Sequence, residues 1–222
     1  MKPDIKNKIA AEAQTTNIFD ELPDEICGFT LKKIFAENGD RFDYFSYEDE
    51  KIHRGLTVYF HEETFEYKTR VKIGLNEFCL TKFFTGNFET FGKMLPEILK
   101  VVENLSKPIN PDEDIFISDR HFSAWSYVKN LPQSIDGFEL FITPDKPAKF
   151  TNGSYIILSY TNFEMNADFN IFYNIYTGGF SGESKINGVP HVTYLFDAKT
   201  LKELQKNLDA HLVDEICRIK NF

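Results

Sequence analysis

Apolar and polar positions alternate along Leu56-Thr57-Val58-Tyr59-Phe60 and again over residues 65–73. There Tyr67, Thr69, Val71 and Ile73 take one side and Lys68, Arg70 and Lys72 the other. A period of two belongs to a strand with one buried face. The same reading predicts strands over 29–36, 41–47 and 78–84, five in all. The period then changes. From Asn87 to Leu105, the residues Phe91, Leu95, Ile98, Val102 and Leu105 follow one another at intervals of 4, 3, 4 and 3, the stripe of an amphipathic helix. Pro96 falls inside that stripe and predicts either a kink or the true first turn. A short helix over 4–14, with Ile5 and Ile9 on one side, precedes the strands.

The second half repeats this order. A helix is expected over 118–130, where Ser118 offers a cap and Phe122, Trp125 and Val128 recur at helical spacing. Strands over 138–143, 155–161, 169–176 and 189–196 follow, with a weaker one ending at 186. A closing helix over 200–219 carries Leu201, Leu204, Leu208, Leu212, Ile216 and Ile219, and Thr200 with Glu203 fits a capping box. The repeat has a signature: Leu22-Pro23-Asp24-Glu25-Ile26-Cys27-Gly28-Phe29-Thr30-Leu31 returns 109 residues later as Leu131-Pro132-Gln133-Ser134-Ile135-Asp136-Gly137-Phe138-Glu139-Leu140, with six of ten positions identical. The Asn38-Gly39 turn returns as Asn152-Gly153, behind an insertion containing Pro144 and Pro147.

An α+β fold with an internal duplication is therefore expected, each copy a short helix, about five antiparallel strands and a C-terminal helix packed on one sheet face. The predicted organisation is a first repeat over 1–107, a proline- and acid-rich linker over 108–117 and a second repeat over 118–222. Two separate repeats and one pseudo-symmetric unit are both compatible with this pattern. Gly28 and Gly137 should hold equivalent positions at the entry to a strand, with positive φ or against a packed neighbour.

Composition narrows the function classes. The 222 residues carry a net charge of −9, and 42% are apolar and 27% charged. Residues 1–109 hold 15 basic and 19 acidic side chains and residues 110–222 hold 10 and 15, so neither half is a basic module suited to phosphate backbones or anionic lipid. Residues 1–8 lack an apolar leader and no run of 18 apolar residues occurs, so a cytoplasmic protein without membrane contact is the expectation. Cys27, Cys79 and Cys217 are odd in number and widely spaced, which suggests buried free thiols rather than disulfides or zinc ligands.

Few residues form a constellation with chemistry in it. Lys68, Arg70 and Lys72 share one strand face as a possible anion contact, against which stands a plain solvated or edge-protecting face. His53, His61, Glu62 and Glu63 are the densest group of potential ligands or acid/base residues, and solvated turn residues are the simpler reading, so no metal is assigned. Thr177-Gly178-Gly179-Phe180-Ser181-Gly182 resembles a phosphate loop only superficially, since no Lys-Ser or Lys-Thr follows. No catalytic residue and no cofactor is assigned.

The second sheet is the most informative stretch. Residues 150–196 contain eleven aromatic residues against one lysine, Lys185, and three acidic side chains. One helix covers one face, so the aromatics of the other face call for the first copy, another chain or a ligand. Tyr155, Phe172, Tyr173 and Tyr176 are the expected interaction residues. A non-enzymatic module that binds a protein partner, or itself, follows as the leading expectation. In the order of its elements the chain also resembles the Whirly and Pur families, which bind single-stranded nucleic acid on aromatic and basic sheet surfaces. The leading helix and fifth strand depart from their four-strand pattern. That resemblance implies single-stranded nucleic-acid binding as the alternative, and an enzyme with an unrecognised site ranks third.

Overall fold

The computed structural model describes residues 1–14, 17–151 and 153–221, and the chain divides into two compact units, Met1–Lys107 and Pro108–Phe222. Both are mixed α+β with antiparallel sheets.

The first unit opens with helix α1 (Pro3–Gln14) and continues into strands β1 (Glu25–Ile26), β2 (Phe29–Asn38), β3 (Arg41–Asp49), β4 (Arg54–His61), β5 (Glu66–Ile73) and β6 (Asn76–Cys79). They form a six-stranded meander in chain order. The alternation seen in the sequence sets its faces: β4 and β5 pair Leu56 with Val71, Val58 with Thr69 and Phe60 with Tyr67 on one side, and Thr57 with Arg70 and Tyr59 with Lys68 on the other. Helix α2 (Phe88–Leu105) buries Phe91, Leu95, Ile98 and Val102. Phe91 stacks on Tyr67 with ring centroids 5.2 Å apart. The Tyr67 hydroxyl donates to Glu12 of α1. Asn87 caps α2 by accepting from the Thr90 amide at 2.8 Å. Pro96 sits inside α2 and does not mark its first turn, because that cap fixes the start at Phe88. At the other end, the Arg54 guanidinium donates to the Leu105 carbonyl at 2.7 Å, placing a cation against the negative pole of the helix.

The predicted strand over 78–84 is shorter than expected: β6 ends at Cys79, and residues 81–83 form a turn of 3-10 helix with Phe83 buried. An added strand compensates, since the signature itself folds back as the two-residue β1.

In the second unit the helix expected over 118–130 is absent. Ser118–Arg120 and Ser126–Asn130 are 3-10 turns, and His121 between them has φ 54, outside the helical region. The spacing of Phe122, Trp125 and Val128 reflects anchoring instead, with Phe122 fully buried against Tyr173 and Phe180. Residues 108–117, expected as a linker, belong to this unit: Ile117 is buried in its core and Asp114 accepts from the Tyr155 hydroxyl at 2.9 Å. The strands are β7 (Ser134–Ile135), β8 (Phe138–Ile142), β9 (Ala148–Thr151), β10 (Ser154–Asn162), β11 (Ala167–Asn174), β12 (Gly179–Ile186) and β13 (Val189–Ala198). Their order is β13-β12-β11-β10-β8-β7, with β9 also paired to β10. Helix α3 (Leu201–Lys220) buries Leu204, Leu208, Leu212, Ile216 and Ile219, each contributing about 1.5–3 kcal/mol relative to exposure. Its capping box is present: Thr200 Oγ1 accepts from the Glu203 amide at 3.2 Å, and Glu203 Oε2 accepts from the Thr200 amide at 3.1 Å.

The two copies of the signature take one shape. Cys27 and Gly28 have φ 50 and 92, Asp136 and Gly137 have φ 50 and 88, the signs of a type I′ hairpin turn. Ile26 faces Phe29 and Ile135 faces Phe138 across them. The Leu31 amide donates to the Asp24 carbonyl at 2.8 Å and that of Leu140 to the Gln133 carbonyl at 2.9 Å. The Tyr47 hydroxyl donates to the Pro23 carbonyl and the Tyr160 hydroxyl to the Pro132 carbonyl, both at 2.7 Å. The Asn38-Gly39 turn is centred one residue later than expected: Asn38 pairs with Arg41, and only Gly39, at φ 65, is positive. Asn152 of the matching turn lies outside the described residues.

Candidate functional site

Strand β11 decides what the second sheet presents. Ala167, Phe169, Ile171 and Tyr173 enter the core under α3, while Asp168, Asn170 and Phe172 alternate to the other side. Tyr155 and Tyr173 are therefore interior residues of their own unit, fully buried, and cannot serve as surface contacts. Burial raises both phenols above their ordinary value; the Tyr155 bond to Asp114 adds to the effect, and Arg120, whose guanidinium lies 5.3 Å from the Tyr173 ring centre, opposes it. Phe172 is half-buried beside Phe150, and Tyr176, in the loop after β11, is 78% exposed. The second side of β11 is more polar than its aromatic content suggests. Asn170 is buried between Ser159 of β10 and Glu183 of β12, and its amide has no hydrogen-bond partner among the described residues. Burial holds the Glu183 carboxyl above its usual value, with Lys185 opposing.

The exposed apolar surface lies two strands further out than β11. On β13, Val189, Val192, Tyr194 and Leu195 are 55%, 64%, 78% and 48% exposed. This strand ends the sheet, and Asp197 is its one carboxylate or ammonium side chain. The other sheet ends are short: β1 and β7 have two residues each and β6 has four, against ten in β13. Brevity is one of the ways in which an edge is kept from pairing with another chain, and charge is another. Strand β13 uses neither, although Pro190 removes one amide near its start. None of these four was among the expected interaction residues, because a period-two strand looks the same at the centre of a sheet and at its edge.

The Lys68, Arg70 and Lys72 stripe does share a face, but two of its three cations are engaged. Lys68 Nζ is 3.4 Å from Glu66 and 4.7 Å from the centre of the Phe84 ring. Arg70 pairs with Glu77 at 2.8 Å and lies over Tyr59. Lys72 is exposed. The glycine-rich run is mostly strand: Gly179 and Gly182 belong to β12, and a β-carbon on Gly182 would come within 2.8 Å of the Phe196 ring. With Lys199 and Glu203 it borders a shallow cleft of about 490 Å³, where the capping box already occupies the first amides of α3.

The histidine group resolves into a smaller one. His53 lies in the β3–β4 turn, at the far end of β4 from His61. Glu62 accepts from the Lys2 amide at 2.9 Å and lies 3.6 Å from the terminal ammonium. Asp40, His61 and Glu63 converge, with ligand atoms within 4.8 Å of one another. Asp40 was absent from the sequence-based group because it comes from a different hairpin.

The thiols also differ from expectation. Cys27 and Cys79 are exposed and Cys217 half-exposed, and none forms a disulfide. Cys27 is outside the core because it occupies the hairpin turn, and Cys79 Sγ lies 3.2 Å from the Tyr59 hydroxyl. Among the described residues, no helix is long and apolar enough to cross a membrane. Compared with protein-family models, with curated proteins and with solved structures, the chain matches none.

Proposed function

We propose that this chain is a non-enzymatic interaction module of the cytoplasm, built from two copies of one ancestral unit, and that its second unit binds a protein partner or a second copy of itself. The observation that carries this reading is the long β13 edge, which has one carboxylate of its own and exposes Val189, Val192, Tyr194 and Leu195. An extended segment added to the regular part of this edge, residues 189–193, gains main-chain hydrogen bonds, and its side chains meet Val189 on one face and Val192 on the other. Of the aromatic residues expected at the surface, Tyr176 remains as a contact at the sheet end where Ala198 of β13 pairs with Phe180. The exposed free thiols suit a reducing compartment.

The duplication draws support from the matching hairpins, the paired tyrosine-to-proline bonds, the meander order in both units and the closing helices. In this reading β8 and β9 together correspond to β2. The insertion at Pro144 and Pro147 splits that strand where β2 itself breaks register between Lys33 and Ala36.

The test places a photo-crosslinking amino acid at Tyr194 in the full chain, with Lys202 on the exposed face of α3 as control, and measures mass by light scattering. A discrete cross-linked partner or a dimer, lost in Val192→Asp with the melting temperature retained, is expected. A monomer that cross-links no more from Tyr194 than from Lys202 would refute the proposal.

A further inference from the structure

We infer that the corner where the β2–β3 turn meets the β4–β5 loop is a site for a divalent transition metal ion, with Asp40, His61 and Glu63 as ligands. Zinc is the ion that best fits them. The three residues come from two separate turns, yet the backbone fixes their approach: β3 and β4 pair Arg41 with His61, and the Glu62 amide donates to the Asp40 carbonyl at 2.9 Å. The side chains therefore converge through strand pairing and need no long reach. His61 Nε2 lies 3.0 Å from Asp40 Oδ2. Two ligands of a tetrahedral zinc with bonds near 2.0–2.1 Å stand about 3.3 Å apart, so this pair is already near the spacing of a coordination edge. All three ligand atoms fall within 4.8 Å of one another, and Glu63 is exposed, with room to swing the remaining distance.

The imidazole is also oriented. Its Nδ1 lies 3.1 Å from Thr64 Oγ1. With an ion bound, the Nδ1 proton would go to that hydroxyl and the Nε2 lone pair to the metal, beside the Asp40 carboxylate. A hydrogen-bond partner on the second ring nitrogen is the usual support of a metal-bound histidine, since it sets both tautomer and ring angle. One imidazole with two carboxylates is a mixed nitrogen and oxygen donor set, which favours zinc over magnesium or calcium. Three protein ligands leave a fourth position for water. Arg41, the cross-strand neighbour of His61, is drawn aside over the Tyr59 ring, 5.2 Å from its centre. Bound there, the ion would tie the β2–β3 turn to the β4–β5 loop.

Calorimetry with zinc chloride, on the full chain carrying Cys27→Ser, Cys79→Ser and Cys217→Ser to remove thiol ligands, tests the site. One equivalent should bind with a Kd on the order of micromolar to tens of micromolar, and zinc should raise the melting temperature where magnesium does not. Nitrogen-detected spectra of the five histidines should show the His61 Nε2 signal moving alone. His61→Ala should weaken binding at least about tenfold, and Thr64→Val, which leaves the ligands intact, should weaken it on the order of tenfold. Glu63→Gln changes an exposed side chain and serves as the variant least able to disturb folding. Zinc binding unaltered in His61→Ala and Glu63→Gln, an unmoved His61 signal, or no binding at millimolar zinc would each overturn the inference.

Discussion

Replacing Gly28 and Gly137 by alanine tests the repeated hairpin most directly. Their φ values of 92 and 88 lie beyond the left-handed basin in which Cys27 and Asp136 sit at 50. An L-residue forced there costs about 1–2 kcal/mol, even though every hydrogen bond of the turn can still form. Space treats the two sites alike: a β-carbon on Gly28 would stand 3.3 Å from Asp49 Oδ2 and one on Gly137 3.4 Å from Asn162 Nδ2, each the end of a polar side chain. Gly28→Ala and Gly137→Ala should therefore cost about the same. Gly188 supplies the reference, since φ is 83 there and nothing lies within 4 Å, which isolates the conformational cost. Urea and thermal unfolding of the three variants give the values. Each kcal/mol lowers the melting temperature by about 4–8 °C if the affected unit melts by itself and by about half that if the chain melts as one. Midpoints unchanged within about 1 °C in both hairpin variants would show that the glycines do not hold these turns, and the shared geometry would lose its physical cause.

Tyr47→Phe and Tyr160→Phe each remove the donor to a proline carbonyl, so each should cost about 1–2 kcal/mol by urea unfolding, and one neutral variant would break the equivalence of the units. Burial pushes the Glu48 carboxyl up, but hydrogen bonds from Lys32 and Ser46 outweigh it and hold the group below its ordinary 4.5. The folded state thus binds fewer protons at Glu48 than the unfolded state, and its contribution is complete above about pH 4.5 and lost as the pH falls below that. Lys32→Met should flatten this acid limb in denaturation curves recorded between about pH 3 and 6, and an unchanged slope would contradict it. Glu183, raised by burial, acts in the opposite sense: it costs stability as pH rises from 4.5 through its folded value, and Glu183→Gln should remove that loss. Fluorescence anisotropy with short single strands at about 150 mM salt should show no sub-micromolar binding, because Lys68 and Arg70 are paired with carboxylates; tight, steeply salt-dependent binding would restore the nucleic-acid reading.

The sequence by itself determined what is local. Period-two and helical stripes set the strands and the buried faces of α2 and α3, because side-chain direction follows from the backbone period alone. Gly28 and Gly137 could be expected at positive φ because that freedom is a property of the single residue, although the hairpins they close were not. The tertiary structure decided the rest. Alternation separates Tyr173 from Phe172 but does not say which of them α3 will cover, and the answer removed Tyr155 and Tyr173 from the surface. The apparent helix over 118–130 gave way because Phe122 gains more by entering the core between Tyr173 and Phe180 than a lone helical turn gains by continuing. Whether a strand is central or an edge depends on its neighbours, so β13 could be recognised as an open edge only once the strand order was known. Asp40 and His61 are 21 residues apart in the chain, and only the pairing of β3 with β4 brings them within hydrogen-bonding distance.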